Sequence, residues 1–368
     1  MAMLEPLKEN LKRQNEEILT NFQRDHFMDD KGKIRDTVTT KAFHDGSQYQ
    51  GFLINGKRNG KGIYHYKNGD IYAGDWKDDK FHGNGCYIFS SGERFQGELV
   101  NGSKEGEGVY FYMNGNKYQG GWKKDKKHGK GRYEYFVTGE KYEGDWNMGE
   151  KKGEGTFEFS YGQKYVGGWL KNEKNGFGRL QFPDGTWFEG NWSNDKANGK
   201  GILHYVNGDI YDGNWVSGVK QGHGTYSYPS SGNIYTGEWK NDLKEGHGIF
   251  KYGNGESYEG EFRGDKKNGN GVYIYKDGTK YIGEFTDDIK EGKGELQYPD
   301  GGNFKGQFHL GKRNGKGVFK YSNGDVYEGE FKDNVRHGYG EYTSKDKSKI
   351  VGQWTNDKPV PSDMKRIN

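Results

Sequence analysis

From residue 49 onward, apolar and polar positions alternate with a period of two, and the alternation itself repeats. An aromatic (once Ile), any residue, Gly, any residue, then Trp, Phe or Leu recurs from starts at 49, 72, 95, 118, 142, 165, 188, 211, 235, 258, 281, 304, 327 and 350. The step between starts is 23 residues eleven times and 24 twice. Period-two alternation predicts strands, and a fixed period of this length predicts a repeat array. In the unit starting at Tyr72, Tyr72, Gly74 and Trp76 share one face of a first strand. Gly83, Gly85, Tyr87 and Phe89 share one face of a second. Asn68-Gly69, Asn114-Gly115, Asp184-Gly185, Asn207-Gly208, Asp277-Gly278 and Asn323-Gly324 predict tight hairpin turns. The other connection, such as Lys77 to His82, is expected to be longer and polar.

The fold class that follows is all-β: an elongated antiparallel meander of about fourteen β-hairpin repeats, forming a twisted single-sheet rod. Strands about 4.8 Å apart give roughly 10 Å per hairpin and roughly 130 Å in all. Gly inside a strand costs about 0.5–1 kcal/mol against Ala, so the Gly columns need a return. The expected return is space for an aromatic ring to lie flat on the backbone.

Residues 1 to about 25 contain no Gly and predict a helix. Leu4, Leu7, Leu11, Ile18, Leu19 and Phe22 fall mostly at three- and four-residue steps, with Asn15 interrupting the stripe. Its expected role is to cover the first sheet edge, with a coiled coil or a partner-binding helix as the alternative. Asp29 to Gly32 predicts a turn, and residues 37–43 the second half of a degenerate repeat. The expected organisation is 1–36 helix and linker, 37–358 repeat array and 359–368 tail.

Composition narrows the class. Only 30% of residues are hydrophobic while 16% are aromatic, which fits neither a compact globule nor a disordered chain. With 56 basic against 53 acidic side chains, there is little global attraction for nucleic acid. A single cysteine, Cys86, excludes an intrachain disulfide framework and points to a reducing compartment. No signal-peptide core and no long apolar run is present.

Candidate chemistry is sparse. Gly-x-Gly is followed by a strand rather than a helix N-terminus, so it is no phosphate cradle. His82, His128 and His337 recur at one repeat position and His223 and His247 at another, as scaffold residues do. No catalytic, metal or cofactor site is expected. Two surfaces stand out. Lys57, Lys80, Lys104, Lys126, Lys151, Lys174, Lys196, Lys220, Lys244, Lys266, Lys290, Lys312 and Arg336 follow their starts by eight or nine residues. They are expected to line one margin, as soluble turn residues or as a basic edge toward anionic head groups. Tyr72, Trp76, Tyr118, Trp122, Tyr142, Trp146, Tyr165, Trp169, Tyr211, Trp215, Tyr235 and Trp239 are expected to form either the core or an aromatic groove. Such a groove would receive a helix or an extended peptide, including the chain's own helix.

Tyr142-Glu143-Gly144-Asp145-Trp146, Gly153 to Phe159 and Tyr161-Gly162 resemble the MORN repeat (membrane occupation and recognition nexus). The resemblance covers about five-sixths of the chain. With no catalytic segment attached, the chain is similar to the MORN-only scaffold proteins of protists. That resemblance implies a non-enzymatic scaffold in a cytoplasmic, cytoskeletal assembly at a membrane. It also implies protein partners, dimerisation through C-terminal repeats and phosphoinositide binding. A lipid-binding adaptor and a ciliary or axonemal component are the alternatives. From Tyr258 onward Trp gives way to Phe262, Phe285, Phe308 and Phe331, and a different packing or a different partner is expected there. Phe308, Phe331 and Trp354 are the candidate dimer end.

Overall fold

The computed structural model of the chain describes residues 4–367. Residues 1–3 and 368, and the side chain of Leu4, lie outside the described residues. Two compact units are present: residues 4–184 with 192–195, and residues 185–191 with 196–367. Within each, consecutive strands pair antiparallel in a meander, two strands per repeat.

The turn assignment from sequence is reversed in the structure. Strands Ile71–Lys77 and Lys80–Ile88 are joined by only two residues, Asp78 and Asp79. Both have positive φ, 47° and 67°, the backbone that matches strand twist in a two-residue hairpin. Asp and Asn tolerate that conformation better than other residues with a Cβ. The Gly-containing connection is the longer one: five residues separate strand Lys57–His65 from Ile71. Tyr66 N donates to Asp70 O and Gly69 N to Tyr66 O across it.

Gly-x-Gly serves two separate needs. Between the pairs Trp76↔Phe81 and Gly74↔Gly85 the register shifts, leaving a bulge. Gly83 sits in it at φ 66°, and the Asp75 carboxylate accepts the Asn84 N–H at 3.0 Å to close it. Gly85 instead faces Gly74 under the Tyr72 ring. A Cβ on Gly74 would stand 2.5 Å from both the Gly85 Cα and the Tyr72 Oη, a contact no side chain tolerates. The expected return on the glycine column is the one observed.

The helix α1 runs from Leu4 to Phe27, but it does not cover an edge. Strand Thr39–Ala42 pairs with Gln48–Ile54 and takes that place. α1 lies on the sheet face opposite the Tyr and Trp column, where Phe27 packs with Ile63 and Ala73. Leu19, Phe22 and Phe52 complete this cluster. Asn15, which interrupts the apolar stripe, is the polar latch: it accepts from Arg94 Nη1 at 2.9 Å and donates to Gly92 O at 3.1 Å. At the other end the chain folds back. Lys358–Pro359 and Lys365–Ile367 pair with the strand Lys349–Thr355, so these tail residues cap an edge.

Candidate interaction surfaces

The aromatic column is the core. Tyr72, Tyr118, Tyr142, Tyr165, Tyr211 and Tyr235 are fully buried, and Trp76, Trp122, Trp146, Trp169, Trp215 and Trp239 are no more than 6% exposed. Each Tyr hydroxyl reaches a backbone carbonyl three residues on, as Tyr72 does to Asp75 O at 2.8 Å. Each of these Trp residues stands edge-on between two aromatic rings, a Tyr of its own repeat and a Tyr or Phe of the one before. Trp146 lies 5.2 Å from Tyr142 in its own repeat and 5.3 Å from Tyr118 in the one before. Its indole N–H donates to Gly131 O at 3.1 Å, bridging the same two repeats. A groove lined by these rings is therefore not available to a ligand, because the rings fill the space that the paired glycines open.

The C-terminal repeats do not pack differently. Phe262 stands 5.2 Å from Tyr258 and 5.0 Å from Tyr235, in the slot a Trp would fill. What is lost is the indole hydrogen bond, which returns at Trp354 with Gly340 O at 3.2 Å. Phe308, Phe331 and Trp354, the candidate dimer end, are 3%, 4% and 3% exposed. They are core residues and present no free face to a second copy.

The basic column splits in two. Residues eight after a start, Lys57, Lys80, Lys126, Lys196, Lys266 and Lys312, are exposed. Residues nine after a start, Lys104, Lys151, Lys174, Lys220, Lys244, Lys290 and Arg336, turn inward over the rings. Strand alternation makes the difference, since a one-residue change in spacing flips the face. Arg58, Lys127, Lys267 and Arg313 join this inner set, and sequence reasoning missed them by following only the first basic residue. Lys151 Nζ lies 4.6 Å from the centroids of both Phe157 and Trp169. Burial pulls the Lys127 and Lys151 amines down to about 8. Many of these residues are also tied to the next turn: Lys104 N, Lys174 N and Lys244 N donate to Asp125, Asp195 and Asp265. Lys151→Ala should cost about 1–2 kcal/mol in urea unfolding through lost ring contact. Lys126→Ala should stay within about 0.5 kcal/mol. Equal effects would overturn the two-column assignment.

The second face, opposite the rings, varies along the chain. Under α1 it is apolar: Ile63, Ala73, Cys86 and Ile88 are buried. Burial pushes the Cys86 thiol up to about 12. Beyond α1 the face is a groove of about 1130 Å³ with both charges along its walls, including Lys130, Arg132, Glu143, Glu154, Glu158 and Lys164. Arg132 pairs with Glu134 at 2.9 Å and Lys164 with Glu158 at 3.4 Å, so the groove offers no single-sign field. Among the described residues, no helix is long and apolar enough to cross a membrane.

The repeat geometry carries a family signature. The MORN-repeat model matches thirteen consecutive stretches between residues 49 and 349. The chain belongs to the MORN-repeat family. Each matched MORN stretch begins at a core aromatic, and most run to the residue before the next, so the family unit is the structural one. No curated protein sequence matches the chain. Among solved structures, it is similar to the SAS-4 (dCPAP) TCP domain of Drosophila melanogaster, in complex with a proline-rich motif of Ana2. That match has 20% identity over 43% of this chain and 85% of that one, with TM-score 0.28. The TCP10 domain of Danio rerio CPAP with a STIL peptide matches at 12% identity over 78% and 96%, with TM-score 0.26. A streptogramin B lyase matches at 12% identity over 90% and 92%, with TM-score 0.12.

Proposed function

We propose that this MORN protein is a non-enzymatic scaffold that binds other proteins along its second face. One observation carries this. The ring face is spent on the core in every repeat, whereas the opposite face changes from apolar under α1 to mixed apolar and charged beyond it on a regular backbone frame. A regular frame with a variable face suits side-by-side partners, each binding modestly and together adding avidity. Placement in a cytoskeletal assembly beneath a membrane, and self-association, are the finer parts of the proposal and rest on the family. The inward turn of half the basic column weakens the rival lipid-binding reading, since only the exposed lysines remain to meet head groups.

Photo-crosslinking tests it. A photoreactive residue placed at Glu143 or Glu259, both exposed on the second face, is introduced into the full chain in its native cells. Protein adducts at these positions are the expected result. Lipid adducts alone, or no adducts, would overturn the scaffold.

A further inference from the structure

The second unit carries, without a cover, apolar residues at several of the repeat positions that α1 covers in the first. Ile249 and Val272 occupy the repeat position of Ile63 and Cys86, Ile210 and Ile234 that of Ile71, Ile274 that of Ile88, and Ile282 that of Ala73. Exposure sets the two strips apart. Ile88 is 6% exposed beneath the helix, and Ile274 in the same position is 41% exposed, with Ile234 at 40%. Strand pairing sets these residues in one row, in which Val272 pairs with Ile282 and Thr236 with Ile249, while Glu259 stands between Ile249 and Val272 and Asp212 between Ile202 and Thr225.

We propose that this strip is a docking site for an amphipathic α-helix about six turns long, presented by a partner protein. The first unit shows what these repeat positions hold, and the dimensions agree. α1 has 24 residues, about 36 Å at 1.5 Å per residue. The strip runs from Ile202 to Ile282 across eight strands, about 34 Å at seven spacings of about 4.8 Å. Charge adds polarity to the seat. Asp212 and Glu259 stand within the row of Ile202, Ile249, Val272 and Ile282, nearer the glycines, and Lys251 and Lys280 pair with Ile234 and Ile274 in the row nearer the turns. The partner helix therefore carries apolar residues at three- and four-residue steps, with basic residues on one flank and acidic residues on the other. The chain's own α1 is not free to serve, because the Asn15–Arg94 pair and the Phe27 cluster hold it on the first unit.

This inference deepens the scaffold reading and rests on it. The probe is a synthetic fluorescein-labelled peptide of residues 4–27, the helix whose seat the strip repeats, added to the full chain. The expected result is saturable binding by anisotropy, with slowed hydrogen exchange in residues 202–282. The Ile234→Lys/Ile274→Lys double variant should weaken binding by about tenfold or more. Its thermal melt should not change, since both side chains are partly exposed. No binding, or protection confined to residues 49–95 by exchange at the helix's own seat, would overturn the proposal. So would a dimer in light scattering that the double variant dissociates, because the occupant would then be a second copy. If the strip fails while crosslinking at Glu143 still yields protein adducts, the scaffold reading survives and the helix seat alone falls.

Discussion

Raising the pH through about 11 is expected to unfold the protein in one steep transition. At least ten tyrosines, from Tyr49 to Tyr327, are less than 2% exposed. Burial raises their phenols well above the ordinary 10.0, to about 12 for Tyr49 and Tyr327 and further for the others. The sign follows from where protons reside. Above pH 10 the unfolded chain loses phenol protons that the folded chain keeps, so stability is whole below pH 10 and is lost as the pH climbs toward the folded value. Each such phenol removes about 1.4 kcal/mol per pH unit. Ten together remove about 14 kcal/mol per unit, comparable to the whole stability of a typical domain, about 5–15 kcal/mol. Lys127 and Lys151 act oppositely, since their amines are depressed from 10.5 to about 8. They add stability as the pH rises from about 8, so the optimum should lie near pH 9–10. The measurement is far-ultraviolet circular dichroism with phenolate absorbance along one titration. Coincident sharp transitions are expected. A gradual phenolate signal centred near pH 10, with the β signal intact, would contradict the buried column.

Replacing one core indole should produce the largest single-residue loss. Trp146 is 4% exposed, stands edge-on to Tyr118 and Tyr142, accepts Lys127 at 4.2 Å over its ring and donates to Gly131 O. Trp146→Ala removes all four at once and should cost about 3–5 kcal/mol. Because the residue bridges two repeats, the loss falls on the coupling between neighbours, and urea unfolding should broaden or split into two steps. Trp146→Phe is the internal control. Phe262, Phe285, Phe308 and Phe331 already fill this slot in other repeats, so only the indole hydrogen bond is lost, about 1 kcal/mol. Ala and Phe variants of equal stability would show that the indole does not join the repeats.

The hairpin meander, its repeat limits and the helix were legible in the sequence, because each is written in local periodicity. Period-two alternation sets strands, three- and four-residue steps set α1, and the 23-residue recurrence sets the unit, all short-range consequences of backbone geometry. Burial of the tyrosines was also within reach, since Gly74 and Gly85 have no other reason to lack a side chain. Tertiary structure decided the rest. Which connection is tight depended on positive φ at Asp78 and Asp79, which the Asn-Gly signal at the other connection obscured. Whether Lys126 or Lys127 meets water depended on the strand register beside the bulge at Gly129. Asn15 looked like a flaw in an apolar stripe because its partners, Arg94 and Gly92, are more than seventy residues away. The second face became visible only when the register of successive strands was fixed, aligning Ile249, Glu259, Val272 and Ile282 in one row. Local pattern determines which elements form. Which side chains share a surface is settled by register and by long-range contact, and the surfaces offered to partners are of that second kind.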